Sequence, residues 1–381
     1  MYFSTFATQF PAPKNRLYVH KTKLTEADRQ FTDLISGNVN EQGLVFPQDL
    51  LKEILSKAAG DATTYKPEPL GQQCARAAIA FHSRAETTDK QILLTPGTSV
   101  AYWYCFKVLC EESDEVLCPS PSYPLFEYIA NLCGVLIRHY KLKEIENWAI
   151  DFDHLESKIT AKTRAIIVIS PHNPTGMVVD HFQADKLSEI ARHHKLAIIS
   201  DEVFREFVFQ GEGTSLAKIS GPLVFTLNGF SKMFALPGLK IAWMEVSGET
   251  DFVKKALAAL EIISDSFLPV NEIAQFAVPA IFQKGQSFLA HYQSQIRKRR
   301  DIALSELKGL QFAQPSGGFY LVLPYQRDID DEDLAIELLD EEGILVHPGY
   351  FYEIENSHLV LSFTQPATIL KDCLRRLRSH L

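Results

Sequence analysis

Short runs rich in aliphatic and β-branched residues alternate with helical stretches from about residue 90 onward, and this alternation restricts the chain to few folds. The runs lie in the segments "QILLT", "DEVLCP", "GVLIRHY", "RAIIVIS", "KLAIIS", "LVFTLN" and "LKIAWMEV". Continuous apolar strands separated by helices are typical of a mostly parallel sheet that helices cover on both faces. The sequence therefore predicts a large central α/β domain, preceded by a helix over about 49–59.

The pattern changes after about residue 272. A long helical segment leads into the strand "PSGGFYLVLP", and a helix over about 331–342, the strands "ILVHP" and "LVLSF" and a last helix follow. This order predicts a smaller α+β domain. We therefore divide the chain into an N-terminal segment, 1–48, that joins the small domain, a large domain, 49–272, and the small domain, 273–381.

Charge and cysteine content exclude several classes of protein. The net charge of -9 and the pI of about 5.8 leave no basic footprint for nucleic acid, and we interpret the basic runs at 297–300 and 375–378 as solvated helix faces. The six cysteines form no C-x-x-C pair and no zinc pattern, so we expect no metal and a reducing compartment. Without a signal peptide or a long apolar run, the sequence predicts a cytoplasmic protein that does not bind a membrane.

Polar residues directly follow five of the predicted strands. In open parallel sheets, ligands bind outside the carboxyl ends of the strands, so these residues should meet in one crevice. The segments are 95–99, 119–123, 170–173, 201–202 and 228–232. They contribute a helix start, an aromatic ring, an amide, a carboxylate and a lysine.

Three of these segments carry recognisable chemistry. Gly97, Thr98 and Ser99 open a helix, whose N-terminal N–H groups favour a phosphate, although Thr-Ser is also an ordinary helix cap. Asp201 is able to cap a helix or to pair with a buried cation. Lys232, with apolar neighbours at a strand end, suits a desolvated amine that attacks carbonyls. No dinucleotide fingerprint or Walker A loop is present, so the sequence predicts a smaller phosphate-bearing ligand.

A phosphate cradle, a carboxylate and an amine at neighbouring strand ends match the requirements of pyridoxal 5'-phosphate (PLP). The lysine forms an imine with the aldehyde, and the carboxylate keeps the pyridine nitrogen protonated so that the ring accepts electrons. An amide steadies the phenolate oxygen, and an aromatic ring packs on the cofactor. The stiff turn "SPHNPTG" after one strand is either only a turn or a means of holding Asn173 towards a ligand.

Over most of its length the chain resembles the class I/II aminotransferases of fold type I, the aspartate aminotransferase-like superfamily. "SPHNPTG" resembles the N-P-T-G turn, "SDEVF" the D-E-x-Y motif and "FSKMFALPGLKIAW" the S-K-x-F-x-x-P-G-x-R-x-G-W motif. "PSPSYPLF" resembles P-x-Y-x-x-Y, and "YKPEPLG" resembles Y-x-P-x-x-G with one extra residue before the glycine. The resemblance implies a large PLP-binding domain with a mostly parallel sheet flanked by helices, and a small α+β domain from both chain ends.

The resemblance also implies roles for single residues. Lys232 would be the Schiff-base lysine, Asp201 would pair with the pyridine nitrogen, and Asn173 would donate to the phenolate oxygen. Tyr123 would stack on the ring, and Tyr65 would reach the phosphate of the partner subunit, which implies a homodimer with a shared active site. The other implied contacts are Gly97, Thr98, Ser99, Phe204, Ser231 and Lys240 for the cofactor and Gly37 for the substrate.

Four positions depart from the family pattern. Phe204 replaces the tyrosine of D-E-x-Y, Gly229 replaces a serine, and Lys240 replaces an arginine near the phosphate. Val360 replaces the arginine that binds the α-carboxylate of the substrate, and no arginine lies between positions 344 and 374. The candidates for a substitute are Lys14, Arg16, Lys21, Lys23 and His347.

Three functional interpretations remain at this point. The first is a transaminase that moves an amino group between an amino donor and a keto acid in amino acid metabolism. The second is a fold-type I enzyme of another reaction type, such as a β-lyase, a decarboxylase or a synthase, since the same site parts serve all of these. The third is a PLP-binding protein with little catalysis, because fold alone does not fix function.

Overall fold

A computed structural model describes residues 2–3, 15–83, 87–123, 125–211, 213–355 and 357–381. An eight-stranded mixed sheet forms its centre. In order across the sheet, the strands are β2 (Ile92–Thr95), β9 (Ala242–Ser247), β8 (Val224–Gly229), β7 (Ala197–Asp201), β6 (Thr163–Ile169), β3 (Glu115–Ser120), β4 (Leu136–Lys143) and β5 (Ala149–Ile150). The five strands from β8 to β4 pair in parallel, whereas β9 and β5 run antiparallel to their neighbours. The predicted mostly parallel sheet is confirmed, and β5 is an addition.

Helices cover both faces of this sheet because side chains alternate along its buried strands. Ile167 of β6 packs in a cluster with the helices Thr98–Leu109, Leu125–Cys133 and Thr250–Asp265, whereas Ile166 packs on the other face with Phe152–Ser157 and His181–His194. The helices Gln48–Asp61 and Gln73–His82 belong to a third apolar cluster, which also includes the small domain. The helix predicted over about 49–59 is present.

The C-terminal part forms a three-stranded antiparallel sheet of β10 (Tyr320–Pro324), β13 (His358–Ser362) and β12 (His347–Pro348). The helices around it are Glu272–Lys284, Gln286–Glu306, Asp331–Glu341 and Ala367–Arg378. The N-terminal segment joins this part: β1 (Thr32–Asp33) pairs in parallel with β11 (Ile344–Leu345). The helix Arg16–Glu26 contacts it too, since the Leu17 N–H donates to Glu332 at 3.0 Å. The exact domain limits remain a prediction.

Three details of the C-terminal part differ from expectation. The long helical segment is two helices that meet at Gly285, and the predicted strand "ILVHP" is divided into β11 and β12. The interpretation of the run 297–300 as a solvated face is wrong for two of its members. Arg299 and Arg300 are buried, and they donate to the carbonyl oxygens of Thr364 and Pro315, respectively. They thus supply hydrogen bonds to loop carbonyl groups that have no backbone N–H partner among the described residues.

The six cysteines are all free thiols. Among the residues that the structure describes, no helix combines the length and the apolar character that a membrane crossing requires.

Candidate active site

A cavity of about 220 Å³ lies at the carboxyl ends of the parallel strands, where the sequence analysis placed the site. It brings together residues from the ends of β6, β7 and β8 and from the start of the helix Thr98–Leu109. Its lining is Thr98, Ser99, Tyr102, Tyr123, Leu125, Phe126, Ile169, Asn173, Asp201, Val203, Phe204, Lys232 and Tyr320. All five polar strand ends therefore contribute to one cavity.

Asp201 is the last residue of β7, and the residue is 8% exposed. Burial raises the pKa of this carboxyl to about 6. Two hydrogen bonds to the carboxylate oppose that shift: the Val203 N–H donates to Oδ1 at 3.1 Å, and the Tyr102 hydroxyl donates to Oδ2 at 3.0 Å. The charge of Lys232 also favours ionised Asp201. The site thus holds an acid that titrates between its two forms near neutral pH.

Lys232 lies in a single helical turn, Phe230–Met233, directly after β8. Its ammonium group donates to the Gly37 carbonyl at 3.2 Å and stands 5.6 Å from the centre of the Phe204 ring. Burial lowers the pKa of Lys232 to about 8, although Asp201 favours the charged form. A larger fraction of this amine is therefore neutral, and so nucleophilic, than of an exposed lysine at the same pH.

The sheet itself explains one departure from the family motif. A Cβ on Gly229, at the end of β8, would lie 2.9 Å from the Cβ of Ala242, the first residue of the adjacent strand β9, and 3.0 Å from the carbonyl oxygen of the preceding Ile241. The close packing of β8 on β9 leaves no room for the serine that the motif contains.

Asn173 is held by a turn that backbone hydrogen bonds fix on both sides. The Gly176 N–H donates to the His172 carbonyl at 2.8 Å, the His172 N–H donates to the Met177 carbonyl at 2.8 Å, and the Ser170 N–H donates to the backbone carbonyl of Asp201 at 2.9 Å. The Asn173 Oδ1 atom is buried and has no hydrogen-bond partner among the described residues. A buried amide oxygen without a partner is unfavourable unless a ligand supplies one.

The helix Thr98–Leu109 begins at the cavity, and no side chain of the described residues caps its first N–H groups. Its N-cap is Gly97, which has extended backbone and makes no side-chain capping bond. Neither Thr98 nor Ser99 is the cap, and both line the cavity. The space that a side chain on Gly97 would occupy is open, so an anion has access to the helix start.

Several residues singled out by the sequence lie elsewhere. Gly97, Ser231 and Lys240 are near the cavity in sequence but are not part of its lining. Tyr65 is 70% exposed and borders a separate surface cavity of about 380 Å³. Gly37 is close to the site, because a Cβ there would stand 3.1 Å from Lys232 Nζ.

The candidates for a substitute arginine offer no free buried cation among the described residues. Arg16 pairs with Asp333 at 2.6 Å on the surface, Lys21 lies 3.7 Å from Asp33, and Lys23 is exposed. Lys14 lies outside the described residues. Burial lowers the pKa of His347 to about 4, so its imidazole is neutral at pH 7.

Sequence reasoning missed two tyrosines of the site. Tyr102 reaches Asp201 from the first turns of the helix Thr98–Leu109, and Tyr320 reaches the cavity from β10. The apolar run around each residue resembles ordinary core. The only signals were the hydroxyl of Tyr102, one turn after the helix start at Thr98, and the position of Tyr320 after the Gly-Gly pair.

These residues fit PLP. Asp201 is placed to meet a protonated ring nitrogen, the open helix start is placed to meet a phosphate, and Asn173 brings a side-chain amide, whose N–H groups are able to donate to the phenolate oxygen, into the same cavity. Lys232 offers an amine with a lowered pKa in the same cavity. Each of these groups is suited to interact with one polar or reactive part of the cofactor.

Comparison with known proteins agrees with this arrangement. The model of the family described as aminotransferase class I and II matches residues 29–375. The aspartate/prephenate aminotransferase of Thermus thermophilus is 29% identical over 366 residues, which cover 93% of this chain and 92% of that protein. The alanine aminotransferase of Mycobacterium tuberculosis is 29% identical over 350 residues, with 87% and 81% covered.

Solved structures of aminotransferases have a similar fold. The solved structure of alanine aminotransferase from Pyrococcus furiosus aligns with a TM-score of 0.91 over 100% of this chain and 99% of that chain, at 24% identity. An aspartate aminotransferase structure from Thermus thermophilus aligns with a TM-score of 0.89 at the same identity and covers both chains completely. Because the family model spans most of the sequence and the fold agrees over its whole length, the chain belongs to the class I and II aminotransferases, which depend on PLP.

Proposed function

We propose that this aminotransferase moves an amino group from an amino donor to a keto acid through Lys232, and that it binds the donor without the usual carboxylate-binding arginine. The observation that carries the proposal is the shared cavity of the Lys232 amine and the Asp201 carboxylate. When bound, PLP supplies the aldehyde for the amine and the ring that accepts electrons from the reacting carbon.

Each protein group then has one task. Lys232, once free of the cofactor, accepts and returns the proton at the reacting carbon, and its pKa of about 8 suits both directions near neutral pH. Asp201 stabilises the positive charge on the ring nitrogen. The side-chain N–H of Asn173 donates beside the ring, and the start of the helix Thr98–Leu109 holds the phosphate.

Relatives support this reaction class. The similar proteins named above are aspartate/prephenate and alanine aminotransferases, which suggests an amino acid and a keto acid as the two substrate types. Position 360 differs from the family motif, which has an arginine there. Val360 is 1% exposed and lies within an apolar cluster. The recognition of the donor is therefore the part of the proposal in which this chain departs from its family.

We also propose a homodimer in the cytoplasm. The exposed ring of Tyr65 has a role in the site only if a partner subunit places its own active-site cavity against that ring. Free thiols at all six cysteines agree with a reducing compartment.

The absorption spectrum of the purified protein with PLP tests the proposed reaction. A panel of amino donors should bleach the visible band of the cofactor, and a keto acid should restore it. A protein that takes up PLP but responds to no donor would contradict transamination.

The altered position 360 also favours a second candidate, a reaction of another type on the same cofactor. Release of pyruvate and ammonia would identify a β-lyase, and release of carbon dioxide would identify a decarboxylase. Neither product should appear if the transaminase proposal is correct.

A further inference from the structure

The place of the missing arginine lies in a row of three residues across the small sheet. Val360 of β13 pairs with Val322 of β10 on one side and with His347 of β12 on the other. Paired residues of antiparallel strands share a face, and Tyr320, two residues before Val322, shares it too. The face that carries the arginine in the family motif thus presents valines, a histidine and a tyrosine.

His347 forms a neutral hydrogen-bonded triad with two tyrosines. Its Nε2 atom lies 2.9 Å from the Tyr18 hydroxyl, and its Nδ1 atom lies 3.0 Å from the Tyr352 hydroxyl. A neutral imidazole has one N–H and one lone pair, so one tyrosine donates to it and the other accepts from it. The accepting tyrosine keeps its own proton, and the triad therefore has one hydroxyl donor left over.

The fixed charges beside Gly37, those of Asp33 and Lys21, offset each other. Asp33 accepts from the Ile35 and Ser36 N–H groups at 2.7 and 2.9 Å, just before Gly37. Its second oxygen lies 3.7 Å from the Lys21 ammonium. A carboxylate that entered here would lose its hydration without gaining a free cation among the described residues, and Asp33 would repel it.

Tyr320 places a hydroxyl at the point where donor and lysine must meet. The residue is 8% exposed and lines the cavity, and its hydroxyl has no hydrogen-bond partner within the part of the chain that the structure describes. A Cβ on Gly37 would stand 2.5 Å from this hydroxyl oxygen and 3.1 Å from Lys232 Nζ, so the two groups flank the same small space. The Tyr320 hydroxyl is uncharged, and it both donates and accepts hydrogen bonds. It therefore faces the amino donor next to the amine of that donor that reacts.

We propose that Tyr320 determines donor specificity, and that the preferred donors carry an uncharged oxygen-bearing group, an amide or an alcohol, where an amino acid carries its carboxylate. A tyrosine hydroxyl donates to a carbonyl and accepts from an alcohol, and neither group needs a cation. The inference rests on the proposed transamination, because it names the donor class of the same site.

The test compares matched donors on the PLP-loaded protein. Leucine, leucinamide and leucinol, and the same three derivatives of phenylalanine, are mixed with it, and the bleaching rate of the cofactor band is recorded. A second readout is independent of turnover: calorimetry gives the dissociation constants of 3-phenylpropanamide and 3-phenylpropanoate, which carry no amino group. The variants are Tyr320→Phe and, as a matched control on the exposed side of the helix Leu125–Cys133, Tyr128→Phe.

The amides and alcohols should react at least tenfold faster than the amino acids, and the amide analogue should bind about tenfold more tightly than the acid. Tyr320→Phe should remove most of this preference, and Tyr128→Phe should leave it unchanged. Faster reaction of the amino acids and tighter binding of the acid would overturn the inference while transamination stands. A preference for the amide analogue without bleaching by any donor would instead remove the proposed function and leave the recognition intact. A preference that Tyr320→Phe does not alter would overturn the role of Tyr320.

Discussion

The Tyr102 hydroxyl donates to Oδ2 of Asp201 at 3.0 Å and thereby ties the first turns of the helix Thr98–Leu109 to the end of β7. In the proposed cofactor site, these two elements would hold opposite ends of PLP: the helix start would face the phosphate, and Asp201 would face the ring nitrogen. Burial raises the pKa of Asp201, and the Tyr102 hydrogen bond lowers it. Tyr102 therefore helps to keep the carboxylate ionised at neutral pH.

The substitution Tyr102→Phe should shift the acidic limb of the pH–rate profile to higher pH. Loss of a hydrogen bond to a charged group changes its pKa by about one unit, so the carboxylate of the variant should protonate at higher pH than that of the unaltered protein. Single-turnover bleaching of the cofactor band between pH 5 and 9 measures the shift. The same substitution at Tyr104, two residues further along the helix, is the control. An unchanged acidic limb in Tyr102→Phe would contradict the role of the hydrogen bond.

Cofactor uptake by the PLP-free protein should accelerate with pH up to about 8 and then level off. The neutral amine attacks the aldehyde, and burial lowers the pKa of Lys232 to about 8, so the neutral fraction rises about tenfold per unit below that point. Asp201→Asn should move the midpoint to lower pH, because the charge of Asp201 favours the ammonium form. Stopped-flow absorbance after mixing with PLP gives both curves. A midpoint near that of an exposed lysine would disprove the desolvation of this amine.

Much of the site could be predicted because it lies at strand ends. Asp201 is the last residue of β7, and Lys232 follows β8 within a single helical turn, so strand order alone places them together. Tyr102 and Tyr320 could not be found in this way. Whether a side chain in an apolar helix or strand points to the cavity depends on the rotation of that element, which tertiary packing decides.

The elements of the fold also differ in how well the sequence predicts them. The apolar runs of β6 and β7 are long and flanked by turns, and they were identified correctly. The two-residue strand β1 exists only because β11 pairs with it, so its own sequence carries no signal. Arg299 illustrates the same point, since a basic run on a helix looks solvated until the loop carbonyl oxygens that it binds are known.

Phe204→Tyr should make the imine between Lys232 and the cofactor lose its proton at lower pH. Phe204 lines the cavity, and its ring lies 5.6 Å from Lys232 Nζ. A hydroxyl there would donate to the phenolate oxygen of the ring and stabilise the form that has lost the imine proton, with an expected shift of about one unit. Absorption spectra of the loaded protein recorded against pH measure the titration. An identical titration in the two proteins would contradict this account.

Val360→Arg should restore a preference for free amino acids. The new guanidinium would meet a carboxylate in charge-assisted hydrogen bonds, and the ratio of amino acid to amide rates should rise about tenfold or more. Val360 is fully buried among apolar side chains, so the variant should also unfold at a lower temperature in the absence of substrate. Val360→Met, which adds length without charge, is the matched control. A ratio that rises equally in both variants would show that the charge is not responsible.

Gly37→Ala should disable the site without unfolding the protein. The added Cβ would stand 2.5 Å from the Tyr320 hydroxyl oxygen and 3.1 Å from Lys232 Nζ, so both functional groups must move apart. We expect the rate of donor-dependent bleaching to fall at least tenfold, because a displaced lysine transfers the proton less efficiently. The control is Gly60→Ala in the helix Gln48–Asp61, where a Cβ meets no atom within 4 Å. That change should raise stability by up to about 1 kcal/mol, since alanine favours a helix over glycine, and it should leave the rate unchanged. Normal bleaching by Gly37→Ala would show that Tyr320 and Lys232 do not need the narrow space that Gly37 leaves between them.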